Sequence, residues 1–106
     1  MARFSAAFDQ CDVDALMAAM TEDCVFETTT PPDGFRHEGQ PSVRAACIDF
    51  FRNSVDARFD TEERLVCGDR VVRRWRYTWS EGHVRGVDVF RVRDGRVAEK
   101  LSYVKG

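Results

Sequence analysis

Residues 82–106 read GHVRGVDVFRVRDGRVAEKLSYVKG, and the pair Asp94-Gly95 near their middle sets how the rest is read. A two-residue type I′ turn needs a positive φ at both central positions, and Asp-Gly is among the pairs that tolerate it best. The runs on either side are strand-like, so the stretch predicts a β-hairpin. On its first strand Val84, Gly86, Asp88, Phe90 and Val92 share one face. His83, Arg85, Val87, Val89, Arg91 and Arg93 share the other. A single carboxylate, Asp88, therefore stands among small and apolar neighbours, which makes it the residue most in need of an explanation.

Working back from the hairpin, the preceding segments are also strands. Val71, Arg73, Trp75, Tyr77 and Trp79 alternate with Val72, Arg74, Arg76 and Thr78, between turns at Gly68-Asp69 and Glu81-Gly82. Phe59 to Cys67 is a longer, more charged strand with a bulge expected near Glu62-Glu63. Upstream the period changes to that of helices. Phe4, Ala7, Phe8 and Cys11 recur at i, i+3, i+4 and i+7, predicting a helix over 2–11. Asp12 is a good N-cap for a second helix carrying Val13, Leu16, Met17 and Met20 and ending near 21–23. Val43, Ala46, Cys47, Phe50 and Phe51 mark a third over 41–53, with Pro41 tolerated in its first turn. Between the second and third lie a short strand, 24–29, and an irregular loop, 30–40, punctuated by Pro31-Pro32-Asp33-Gly34.

These elements predict an α+β fold: three N-terminal helices packed in the concave face of one curved, mainly antiparallel sheet. At 106 residues the chain is expected to be a single domain, 1–106. A strongly bent sheet over helices leaves an internal cavity, the natural place for a ligand. Apolar residues are 43% and aromatic residues 11% of the chain, and 16 basic residues stand against 18 acidic for a net charge of −2. That balance lacks the basic footprint of a nucleic-acid binder. No run approaches membrane length, so neither nucleic acid nor membrane is expected as a partner. Cys11, Cys24, Cys47 and Cys67 are far apart, form no CxxC pair and sit among apolar residues. They read as buried free thiols in a reducing, cytoplasmic setting, and no metal or cofactor is expected.

The element order, the glycine-punctuated loop before the third helix and the GVDVFRVRDGRV hairpin resemble the nuclear transport factor 2-like superfamily. Within it the chain looks most like the SnoaL-like group. The resemblance implies that Phe26, Thr28, Trp75, Tyr77, Asp88 and Ser102 line the cavity. The outer sheet face mixes Val72, Val87 and Val89 with Arg74, Arg76, Arg85 and Arg91, apolar enough to bury, which predicts a homodimer through it, and the resemblance points the same way. Asp88 matches the pocket aspartate of the superfamily's ketosteroid isomerases, but their tyrosine and general-base positions fall at Phe4 and Thr28. The charged positions of its limonene-type epoxide hydrolases fall at Trp75, Tyr77 and Ser102. Neither mechanism has its groups here. SnoaL-type cyclases, which rely on one pocket aspartate as acid/base, are closer.

The expectation is a small-molecule-binding protein acting without a cofactor on a small apolar or polycyclic carbonyl compound, as a cyclase or isomerase, with Asp88 as acid/base. The alternative is a non-catalytic binder or dimeric scaffold. Desolvation by Trp75, Tyr77 and Phe90 would raise the Asp88 pKa. A structural carboxylate paired with Arg73 or bonded to Tyr77 is the other reading. Trp75 and Tyr77 are either core or a stacking wall, and His37 is either a surface residue or a lid over the ligand.

Overall fold

The computed structural model describes residues 1–105. In chain order the elements are α1 (Ala2–Asp9), α2 (Val13–Ala18), β1 (Met20–Glu27), β2 (Arg36–Glu38), α3 (Gln40–Arg52), β3 (Arg58–Cys67), β4 (Arg70–Trp79), β5 (Gly82–Arg93) and β6 (Arg96–Val104). The strands form one sheet in the order β2-β1-β6-β5-β4-β3. Every neighbouring pair is antiparallel except β1 with β6.

The three helices and the curved, mainly antiparallel sheet are the expected architecture. The Asp94-Gly95 turn has φ of 53° and 76°, the left-handed values a type I′ turn requires. The β3–β4 register shifts between Thr61 and Glu63, which is the expected bulge. It lets Glu62 and Glu63 both reach outward, to Arg85 and Arg74 respectively. Asp12 caps α2 by accepting from the Ala15 amide at 3.1 Å.

Several boundaries differ from the sequence reading. The second helix ends at Ala18 instead of near residue 21, and the strand expected at 24 already begins at Met20. Pairing with β6 captures this segment: Met20 aligns with Val97, and the Val97 amide donates to the Ala19 carbonyl at 2.9 Å. The stretch 30–40 is not wholly irregular, since Arg36–Glu38 adds to β1 as an edge strand. Of the four cysteines only Cys24 and Cys47 are buried; Cys11 and Cys67 are exposed. Cys11 sits in the turn between α1 and α2 with a positive φ, and Cys67 ends β3 at the sheet edge, so their apolar neighbours in sequence do not cover them.

The core lies between the helices and the sheet. Phe4, Leu16, Met20, Cys24, Val43, Phe90 and Val97 are almost wholly buried there. Phe4 on α1 meets Phe90 on β5 edge-to-face at 5.3 Å, a preferred aromatic geometry. Gln40 at the start of α3 donates through Nε2 to the carbonyls of Met17, Met20 and Thr21. It thereby ties the α2–β1 junction to α3. Between the helices and the sheet, beside this core, a cavity is lined by Phe8 of α1, Cys47 and Phe50 of α3 and residues of β1, β3, β4, β5 and β6.

Candidate functional site

Register builds the floor of that cavity. Arg73 on β4 stands directly across from Asp88 on β5, and Asp88 directly across from Ser102 on β6. Facing residues in adjacent strands project to the same side, so the three side chains form a row. Lys100, two residues before Ser102, shares its face. Arg73 Nη2 donates to Asp88 Oδ2 at 2.8 Å, and Ser102 Oγ donates to Asp88 Oδ1 at 2.7 Å. Lys100 Nζ donates to Ser102 Oγ at 2.9 Å and lies 3.8 Å from Asp88 Oδ1. The Asp88 side chain is 3% exposed, that of Arg73 4% and that of Lys100 14%. This is a nearly dry cluster of two cations and one anion.

The environment decides the protonation state of Asp88. Burial pushes its carboxyl up, but the charges of Lys100 and Arg73, with hydrogen bonds from Ser102 and Arg73, outweigh burial and hold it below the ordinary carboxylate value. The carboxyl is therefore ionised at neutral pH, contrary to the raised pKa expected from its apolar neighbours. Its partner is Arg73, not Tyr77, whose hydroxyl donates instead to Ser54 Oγ at 3.1 Å.

The cavity above this row measures about 360 Å³. Its walls include Phe8, Phe26, Phe50, Phe59, Tyr77 and Trp79. Phe26, Thr28, Trp75, Tyr77, Asp88 and Ser102 all line it, and so does Cys47. Burial pushes the Cys47 thiol up to about 11, so it lines the cavity as an inert thiol. The ammonium of Lys100 lies 5.0 Å from the centre of the Phe26 ring and 5.8 Å from that of Phe8, within cation–π range. Thr28 Oγ1 accepts from the Phe35 amide at 2.9 Å and so anchors the 28–35 loop at the rim.

One expectation changes. His37 does not line the cavity: it sits in β2 opposite Phe26, its Nδ1 3.2 Å from Ser42 Oγ at the start of α3. The space above Gly86 is filled by protein. A Cβ there would lie 2.4 Å from Trp75 Cζ2 and 2.4 Å from the Tyr103 carbonyl oxygen. The glycine instead makes room for the Trp75 indole, which lies across it. Lys100 is the functional candidate that residue-by-residue reading missed. Among the described residues no cluster of three or more His, Cys, Asp or Glu side chains could hold a metal ion.

The model of the SnoaL-like domain matches residues 1–100. The chain belongs to the SnoaL-like domain family. A nuclear transport factor 2-like protein of unknown function from Mesorhizobium loti is 44% identical, with a TM-score of 0.86 over 100% of this chain and 88% of that one. A candidate polyketide cyclase from Sinorhizobium meliloti is 22% identical, with a TM-score of 0.82 over 94% of this chain and 89% of that one. A candidate ketosteroid isomerase from Kribbella flavida is 15% identical, with a TM-score of 0.85 over 99% and 74%. The last two likenesses show the fold alone, because one fold hosts many activities. No curated protein matches the chain.

Proposed function

We propose that this SnoaL-like protein binds a small, flat, largely apolar carbonyl compound in the cavity and activates it without a cofactor. The carrying observation is an ionised carboxylate and an ammonium 3.8 Å apart on the floor of a cavity with seven aromatic side chains in its walls, both lining it. Lys100 donates to the substrate carbonyl oxygen and stabilises negative charge developing there. Asp88, as the ionised carboxylate beside it, accepts a proton from the carbon next to that carbonyl. The enolate so formed is the common intermediate of isomerisation and of aldol-type ring closure. Trp75 and Tyr77 hold the flat body of the compound, and Phe26, Thr28 and Ser102 complete the substrate contacts.

A second reading is favoured by the engagement of both Asp88 oxygens and by its lowered pKa, each of which weakens it as a base. In that reading the protein binds the same class of compound and releases it unchanged. Deuterium exchange at the α-carbon of 2-tetralone, followed by NMR in D₂O, separates the two. Exchange accelerated by the protein, and slowed at least about a hundredfold by Asp88→Asn under conditions where circular dichroism shows that variant folded, supports activation. Binding with exchange at the buffer rate supports the second reading.

A further inference from the structure

The cavity floor carries a charge imbalance. Arg73 and Lys100 supply two positive charges and Asp88 one negative. Glu27 also lines the cavity, but its carboxylate is engaged at the rim by Arg36 Nη1 at 2.8 Å. The nearest uncommitted donors point to the same deficit of acceptors. Lys100 Nζ has three hydrogens, one of which goes to Ser102. Its separation from Asp88, 3.8 Å, is an ion pair beyond hydrogen-bond length. Arg73 Nε and Trp75 Nε1 are buried with no hydrogen-bond partner among the described residues. Buried donors without acceptors and an uncompensated buried charge are both unfavourable. An anionic acceptor entering the cavity beside Lys100 would balance the charge and take up its free hydrogens.

Resting on the reading of this cavity as the site of a carbonyl compound, we infer that this compound carries a negative charge of its own: an aromatic or aliphatic keto monocarboxylate, whose carboxylate takes one of the two remaining Lys100 hydrogens and whose carbonyl oxygen takes the other. The aromatic walls take the apolar body. The ammonium already rests against Phe26 and Phe8, where the low dielectric strengthens its attraction for an anion. A neutral ketone of the same shape gives Lys100 an acceptor but leaves the extra charge unbalanced.

The chain has two tryptophans, and both Trp75 and Trp79 line the cavity, so intrinsic fluorescence reports on this site. The test compares 2-naphthoate with 2-acetylnaphthalene, which has the same ring system and a neutral methyl ketone in place of the carboxylate. Titrations use the wild type and Lys100→Met, which keeps the length of the side chain. A charge-assisted contact in a dry site predicts that naphthoate binds the wild type at least about tenfold more tightly than the ketone. Lys100→Met should bring the two within about twofold by weakening naphthoate more than the ketone, since a charge-assisted hydrogen bond is worth more than a neutral one. Equal affinities in the wild type, or a preference for naphthoate that survives in Lys100→Met, would overturn the inference while leaving the cavity as a site for apolar compounds. Saturable binding of neither probe at millimolar concentration would overturn both.

Discussion

Replacing Asp88 with Asn tests the cluster more sharply than it tests chemistry. The substitution keeps the shape and one acceptor oxygen, but leaves Arg73 and Lys100, with side chains 4% and 14% exposed, as two buried cations without an anion. Removing one partner of a buried ion pair costs about 3–5 kcal/mol. The one remaining oxygen still accepts from Arg73, which puts Asp88→Asn near the lower end. For a chain of this size, whose total stability is on the order of 5–15 kcal/mol, about 3 kcal/mol corresponds to a fall in Tm of roughly 10–20 °C. Urea denaturation at pH 7 measures the loss directly. Arg73→Met/Asp88→Leu/Lys100→Met should recover much of it, because an apolar trio leaves no buried charge without a partner. The pH dependence carries a second signature. The folded-state pKa of Asp88 lies below its ordinary value of 3.8, so its contribution is fully present above that value and is lost as pH falls through the depressed folded value. The wild type should therefore lose stability on acidification below about pH 4, and Asp88→Asn should lack that component. A cost under about 1 kcal/mol with an unchanged acid limb would refute the buried ion pair.

Two further outcomes follow from packing. Gly86→Ala would force a Cβ to within 2.4 Å of both Trp75 and the Tyr103 carbonyl. It should cost about 1–3 kcal/mol in urea denaturation and alter the emission of Trp75. We propose a homodimer through the outer face of the sheet, where Val72, Val87 and Val89 are half-buried between charged side chains. Sedimentation equilibrium should then give twice the chain mass, and Val87→Asp should shift it to the monomer; wild-type monomer at micromolar concentration would remove the proposal.

How much of this was legible in the sequence depends on how regularly each element alternates. Asp94-Gly95 announced the hairpin because the turn geometry admits few residue pairs. The inward face of β5 followed from strict alternation, which also placed Asp88. Arg73 stood in phase with Val71, Trp75 and Tyr77, so a buried charge opposite Asp88 was already visible as one reading. β2 was not legible: Arg36–Glu38 is three residues long, polar and at the sheet edge, with no apolar period to read. The start of β1 was hidden by the polar run Thr21-Glu22-Asp23, which resembles a helix end. Lys100 was in reach from Ser102, whose expected cavity face it shares two residues earlier, but a bulge hides it when counting starts upstream. Arg91 aligns with Glu99 and Val92 with Val97, leaving Ala98 unmatched. Counting from buried Val97 therefore puts Lys100 on the wrong face. The lowered pKa of Asp88 could not be read from its own strand, because the charges that set it arrive from β4 and β6.

We propose above all that the cavity between helices and sheet receives a small, largely apolar carbonyl compound. The most direct test is a titration of the protein with 2-tetralone, followed by the indole N–H resonances of Trp75 and Trp79 in ¹H–¹⁵N NMR spectra. Both residues line the cavity, so both resonances should shift saturably, together with the amides of Asp88 and Ser102. Shifts confined to the outer sheet face, or none up to the solubility limit of the ketone, would contradict the account.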